Sequence, residues 1–298
     1  MKLWLKISIL FAGILNIVMA QQLPQYSQFM FNKYAIHSGF SLIEPYWEAR
    51  SNHRYQWERI TDGPRTYTLS IYGPNKKQNM GFGLLLFTDF TGPTRRSGIQ
   101  TSYNYALKLS GDWRLIFSAQ AGILQFMIDG SKITLRDEND PLITNGVQAT
   151  VVPDIGSGLL LHHQNKFYLG ISAPQIIRNK IKFFKDGPNP TGRLERHFYS
   201  IVGYLWDLSD DFSIEPNLLL KYVEPVELQW EPSMRFIYKK EYWIGASYRY
   251  QDAIAAYLGF WVRKTFLFGY SYDYPVSNIR NYSTGTHEVM LGIKFIRE

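Results

Sequence analysis

Ile99-Gln100-Thr101-Ser102-Tyr103-Asn104-Tyr105-Ala106-Leu107-Lys108-Leu109-Ser110 changes character at every step. Ile99, Thr101, Tyr103, Tyr105, Leu107 and Leu109 form one series; Gln100, Ser102, Asn104, Ala106, Lys108 and Ser110 form the other. Successive side chains of a strand point to opposite faces, so this is a strand with one apolar face and one polar or small face. The period recurs at Val226, Leu228, Trp230, Pro232, Met234, Phe236 and Tyr238, and again at Phe266, Phe268, Tyr270, Tyr272 and Tyr274. Each run spans roughly nine to fourteen residues, against about 5–6 in soluble sheets, and that length suits a tilted crossing of a bilayer.

The rest of the composition agrees. The 298 residues are 45% hydrophobic, 16% aromatic and 19% charged, and none is cysteine. Zero cysteine excludes a disulfide scaffold, a cysteine zinc site, an iron–sulfur cluster and a lipidated N-terminal cysteine. A mean hydropathy of −0.22 excludes a bundle of membrane helices but not a barrel, whose strands average one lipid-facing with one water-facing residue. At the N-terminus, Lys2 and Lys6 precede an apolar stretch from Ile7 to Ile17, and Val18-Met19-Ala20 closes it. Residues 1–20 therefore read as a cleaved export signal. With no later helical span, any crossing of the membrane is made of strands.

Punctuation between the runs is asymmetric. Short polar turns are expected at Asn75-Lys76-Lys77, Ser110-Gly111-Asp112, Gln164-Asn165-Lys166, Ser209-Asp210-Asp211, Lys239-Lys240-Glu241 and Arg263-Lys264. Between them lie mostly longer connections, at 58–64, 89–96, 129–152, 174–195, 223–225, 250–253 and 275–285. Starting from a first strand at about 44–57, six turns and seven loops separate fourteen strands. Even strand number with short periplasmic turns and longer external loops is the pattern of an outer-membrane barrel. Tyr and Trp near many strand ends, Trp47, Trp113, Trp206 and Trp261 among them, suit interfacial girdles. Pro45, Pro216 and Pro232 fall inside expected strands, where each removes a ladder donor; bulges near the rims would accommodate them.

Signals for chemistry are poor. His162-His163 are adjacent and would point to opposite faces of a strand, and the other histidines lack zinc-ligand spacing. Gly81-Phe82-Gly83 and Gly156-Ser157-Gly158 precede apolar strand residues and no helix with a lysine, so they read as strand glycines where close packing admits no side chain. The formal charge of +7 sits largely in the short turns and forms no phosphate track, so nucleic acid is not expected. Lys108, Glu215, Lys221, Glu227, Glu231, Arg235, Arg249, Asp273 and Lys294 fall on the polar phase of strands and are assigned to a wet lumen. A basic residue on the lipid face would cost about 2–4 kcal/mol near the midplane. The loop 129–152, with Asp129, Gly130, Ser131, Lys132, Arg136 and Asp137, is the longest and densest in charge. Its carboxylates lack calcium-loop spacing; partner contact or a lid is expected, with 174–195 second.

Several segments carry a family likeness. Pro24-Gln25-Tyr26-Ser27-Gln28-Phe29-Met30-Phe31-Asn32, Asp62-Gly63-Pro64-Arg65-Thr66-Tyr67 and Ile128-Asp129-Gly130-Ser131-Lys132 resemble the PorP/SprF family of Bacteroidota outer-membrane proteins. The likeness continues through Phe167-Tyr168-Leu169-Gly170-Ile171-Ser172-Ala173-Pro174, Trp243-Ile244-Gly245-Ala246-Ser247-Tyr248-Arg249, Gly269-Tyr270-Ser271-Tyr272-Asp273-Tyr274 and Gly285-Thr286-His287-Glu288-Val289-Met290-Leu291-Gly292. The resemblance implies a part in type IX secretion and gliding motility. It implies periplasmic ring and lipoprotein partners, or a large adhesin with a C-terminal sorting domain.

The expectation is an all-β, up-and-down antiparallel transmembrane barrel over 41–298, with an N-terminal extension (21–40) that is periplasmic or plugs the lumen. Gln25, Tyr26, Ser27, Gln28, Phe29, Met30, Phe31 and Asn32 are candidate partner-binding or anchoring residues. No cofactor and no catalysis are expected. The partners expected are outer-membrane lipids and, as the resemblance implies, secretion proteins. Two other readings are a passive channel or hydrophobic-solute transporter of the same size, and a secreted soluble β-protein such as a carbohydrate binder.

Overall fold

The computed structural model describes residues 24–133, 146–183, 192–224 and 226–295; the expected export signal lies outside them. Fourteen strands follow one another: β1 (Trp47–Tyr55), β2 (Arg65–Pro74), β3 (Met80–Thr91), β4 (Thr94–Lys108), β5 (Trp113–Asp129), β6 (Val147–His163) and β7 (Phe167–Gln175). Then come β8 (His197–Tyr204, resumed at Trp206–Asp207), β9 (Phe212–Val223), β10 (Gln229–Tyr238), β11 (Tyr242–Arg249), β12 (Ala253–Val262), β13 (Phe266–Pro275) and β14 (Thr286–Phe295). Each pairs antiparallel with the next, and β14 returns to β1 in a continuous register from Trp47↔Phe295 to Tyr55↔His287. The sheet is closed, so no edge strand is left unpaired.

Burial is inverted relative to a soluble protein. Along β4, Ile99, Tyr103, Tyr105 and Leu107 are exposed, while Gln100, Ser102 and Asn104 are buried. Along β13, Phe266 and Tyr274 are exposed and Ser271 and Asp273 buried. Apolar side chains outside and polar ones inside suit a barrel in hydrocarbon with a hydrated or hydrogen-bonded interior.

All six short turns lie at one end of the barrel. Gln164-Asn165, Lys239-Lys240 and Arg263-Lys264 each place two consecutive residues at φ of 51° to 56°. That is the twist a two-residue hairpin requires, and it is met here without glycine. The opposite end differs from expectation in four places. The connection expected at 89–96 contracts to Gly92-Pro93, with Gly92 at φ +55°. That expected at 129–152 begins only after Asp129 and ends before Val147, because β5 and β6 rise well above the other strands. The connection at 223–225 occupies 224–228, and that at 250–253 narrows to 250–252. Proline placement also differs. Pro45 precedes β1. Pro216 sits inside β9 where the ladder to β8 loses its pairs at Glu215 and Pro216, with the same register on both sides. The missing proline N–H accounts for the break in β8 at Leu205. Pro232 lies just beyond the last pair between β10 and β11, Ser233↔Ser247.

Above the lumen at the loop end, the chain after β7 folds back onto the tall wall. Ile181 and Leu194 are buried against Phe87, Leu124, Phe126 and Val152. Nearby, Glu58 accepts from the Thr284 hydroxyl (3.0 Å) and lies 3.2 Å from His287 Nε2, ties that hold its carboxyl below the usual range.

Phe117, half-exposed on the outer face of β5, tests the lipid-facing assignment. Phe117→Arg is expected to destabilise the folded barrel by about 2–4 kcal/mol, read by denaturant unfolding in lipid vesicles. An effect near zero would mean that this face is not in hydrocarbon.

Candidate functional site

The lumen is filled by the chain's own N-terminal segment. Residues 24–43 run through it from the loop end to the turn end as irregular chain with two short 3-10 turns, Lys33–Ala35 and Ser38–Leu42. Phe29, Met30, Phe31, Ile36, Phe40 and Leu42 are buried in one apolar cluster with inward residues of the wall, including Ile116, Leu160, Ile201, Leu219, Leu267 and Met290. Such a segment has few backbone bonds of its own, so its polar groups need partners in the wall.

Near the loop end the partners are ionic. Ser27 N–H donates to Glu288 (2.8 Å), and its hydroxyl donates to Asp273 (2.5 Å). Arg54 and Arg249 both donate to that hydroxyl oxygen, at 2.5 and 3.3 Å. Arg54 also bridges Asp273 (2.9 Å) and Glu288 (3.2 Å), while Arg249 bridges Glu231 (3.0 Å) and Asp273 (3.3 Å). Both arginines and the three carboxylates are at least 97% buried. Charges so buried are tolerated only when paired and hydrogen-bonded, and losing one partner is costly. Below this latch, Asn32 donates to Asn52 Oδ1 (2.9 Å), and Asn52 in turn donates to Glu288.

Toward the turn end Lys33 and Arg235 both pair with Glu215, which also accepts from the Tyr168 hydroxyl (3.0 Å). His37 caps the second 3-10 turn: its Nδ1 accepts from Gly39 N–H (3.0 Å). Nε2 is therefore the protonated nitrogen, and it donates to the Leu159 carbonyl of the wall (3.0 Å). The ring rests against Gly158, where an added Cβ would come within 2.8 Å of Nε2. Tyr34 lies over Gly83 in the same way, stacked on Tyr72 at 4.2 Å between centroids. The strand glycines thus form a floor on which the segment packs.

The sequence candidates are distributed as follows. Tyr26 to Asn32 are buried in the barrel's own lumen, and Gln25 accepts from Lys221 at the loop-end edge (2.7 Å). Asp129, Gly130, Ser131 and Lys132 form a small turn at the top of β5, with Asp129 accepting from Ser131 N–H (3.2 Å); Arg136 and Asp137 lie outside the described residues. Glu215, Lys221, Glu231, Arg235, Arg249 and Asp273 point inward. Lys108 is exposed at the turn end of β4. Glu227 is not on a strand: it is exposed on the 224–228 connection, because β10 begins only at Gln229. Sequence reasoning missed Arg54, Glu288 and Lys33. The even-numbered series Glu48, Arg50, Asn52 and Arg54 was the available signal, hidden because the alternate residues Ala49, Ser51 and His53 are not strongly apolar.

With this architecture in view, the family can be decided. A family model described as type IX secretion system membrane protein PorP/SprF matches residues 18–293. The chain belongs to the PorP/SprF family. It is thus a β-barrel membrane protein of the type IX secretion system. No curated protein matches it. Among solved structures it is similar to the CymD monoaromatic hydrocarbon channel, at TM-score 0.52 and 11% identity, covering 91% of this chain and 92% of that one. A Pseudomonas aeruginosa FadL homologue gives TM-score 0.50 at 10% identity, with 91% and 94% covered. The TodX deltaS2S3 mutant monoaromatic hydrocarbon channel gives 0.51 at 8%, with 88% and 93% covered. At these identities the likeness establishes the shared barrel fold only.

Arg54→Gln removes the guanidinium that pairs with Glu288 and one of the two that pair with Asp273. Loss of about 3–5 kcal/mol of stability is expected, with protease cleavage appearing within 24–43. An unchanged unfolding midpoint and an intact N-terminal segment would show that the latch does not hold it.

Proposed function

We propose that this PorP/SprF protein is a plugged, non-enzymatic platform in the cell outer membrane. Its short-turn end faces the periplasm and binds subunits of the secretion machine, or it supports secretion and surface anchoring of large adhesins. The observation that carries the reading is the filled lumen: Phe29, Phe31 and Phe40 occupy its middle, while the Lys33–Glu215 ion pair holds the segment toward the turn end and hydrogen bonds from Ser27 to Glu288 and Asp273 hold it near the loop end. A segment so placed obstructs the lumen, so on this reading the protein's value to the machine lies in its surfaces and rigidity. Membership of the family supports association with other components of the secretion system; a periplasmic ring subunit, a lipoprotein or a sorted adhesin is the partner this reading proposes.

The competing reading is a passive channel for hydrophobic solutes. One observation favours it. The pairing of β7 with β8 shifts between Ser172 and Gln175, and an apolar hollow of about 660 Å³ lies beside the shift on the outer, lipid-facing side of the wall, where a solute leaving the lumen sideways would emerge, lined by Phe117, Leu159, Ile171, Phe198 and Leu220.

Two measurements separate the readings. The intact protein in planar bilayers is expected to give no steady ion conductance, and removing residues 21–43 is expected to open one. Deleting the gene is expected to block export of type IX cargo. Steady conductance of the intact chain, with normal cargo export in the deletion strain, would replace the platform with the channel.

A further inference from the structure

The turn-end mouth of the barrel is a hollow of about 400 Å³ bounded by the inner segment and the wall. Four nitrogen atoms of its lining are buried and have no hydrogen-bond partner: Trp243 Nε1, His162 Nε2, Arg235 Nε and Arg50 Nε. Trp243 and His162 are 95% and 98% buried. Arg114 donates to His162 Nδ1 (3.4 Å), which leaves the proton on Nε2. All four atoms are donors, closed off among the side chains that line the hollow, so an acceptor meets them only as those side chains shift on binding.

Charge points the same way. Five cations line the hollow against three carboxylates. Lys33 and Arg235 share Glu215, and Arg50 is held by Glu48 at 2.7 Å. Lys294 is within electrostatic reach of Glu48 and Glu44, and Lys240, which is near Asp207 outside the lining, has no carboxylate of its own within it. The cations are already laid on aromatic rings: Lys294 over Trp261 (3.7 Å), Arg235 over Phe31 (5.0 Å) and Lys33 over Tyr168 (4.2 Å). Side chains held in this way lose little further freedom when an anion arrives.

We infer that this mouth is a docking site for an acidic segment of a protein partner, with carboxylates for the unpaired donors and apolar side chains between them. The inference rests on the platform reading and specifies its partner's chemistry. The donors are spread around the ring of strands, on β1, β6, β10 and β11. A single phosphate would need donors converging on one point; a chain bearing several carboxylates can reach a ring of them. Lipid headgroups are walled off by the strands themselves.

The test uses the full protein in detergent micelles and a fluorescein-labelled twelve-residue peptide of repeating Glu-Ala-Glu-Phe, with a Lys-Ala-Lys-Phe repeat as control. Heat-shifted gel migration establishes that each variant is folded. Anisotropy is expected to give at least tenfold tighter binding of the Glu peptide than of the Lys peptide. Binding of the Glu peptide should weaken at least tenfold in the K240Q/K294Q double variant, and also in Trp243→Phe, which removes the indole donor along with part of the ring that packs on Phe31 and Trp261. Equal binding of the two peptides, or unchanged binding in the folded double variant, overturns the inference. So does complete displacement by millimolar inorganic phosphate, which would make the mouth a small-anion site. Cargo export in cells separates this from the platform reading. Loss of export in both the deletion strain and the double variant supports the docking site. A deletion that blocks export beside a double variant that exports normally overturns the docking site alone. Normal export in the deletion strain sinks the platform.

Discussion

Hydrocarbon offers no hydrogen bonds, so every backbone N–H and C=O that crosses the membrane must find its partner within the protein. The register that brings Phe295 opposite Trp47 meets this demand by joining the last strand to the first. Much else follows from that closure. Once the sheet is a cylinder, one face of each strand meets lipid and the other meets a confined interior. Two-residue alternation then divides the chemistry of the chain between them. The failure of the ladder opposite Pro216 is local and leaves the register unchanged, whereas the pairing of β7 with β8 shifts between Ser172 and Gln175.

A cylinder of fourteen strands encloses more space than its inward side chains fill, since many of them are serine, glycine or asparagine. The N-terminal segment occupies the difference. Its aromatic and aliphatic residues supply volume, and many of its polar atoms bond to the wall. The glycine floor permits close approach, Asn32 and Ser38 bond to Asn52 and Asn104, and Ser27 sits within a net of two arginines and three carboxylates. Buried ion pairs of this kind add little net stability compared with apolar packing, but they penalise any arrangement that separates them. A segment with little secondary structure of its own is thereby given one position. Because it joins β1 at the turn end, that end is where the segment, the basic turns and the donor-lined mouth come together.

Legibility of the sequence tracked the contrast between the two faces. Where β4 or β13 crosses hydrocarbon, the outward residues are apolar and the period of two is plain. In the upper part of β3 to β5 the outward residues include Thr88, Arg95, Ser97 and Gln125, and alternation fades. Residues 89–96 accordingly read as a loop although they are nearly all strand. The same loss of contrast hid Arg54 on β1. Glu288 was quoted only within a family motif, because nothing local distinguishes a carboxylate that pairs with arginine from one in a turn.

From residue order alone came the all-β class, the even strand count, the position of the short turns and the sorting of charges into turns and lumen. These depend on local periodicity and on the cost of placing charge in lipid, both of which can be read along one chain. Only the tertiary structure decided that Ser27 meets Asp273 and Glu288, that Lys33 meets Glu215, and that His37 rests on Gly158. Those contacts join positions far apart in the chain, and their partners are chosen by where the closed wall places them. Whether the interior would be open or filled was likewise settled only by closure, because the space to be filled exists only once the cylinder does.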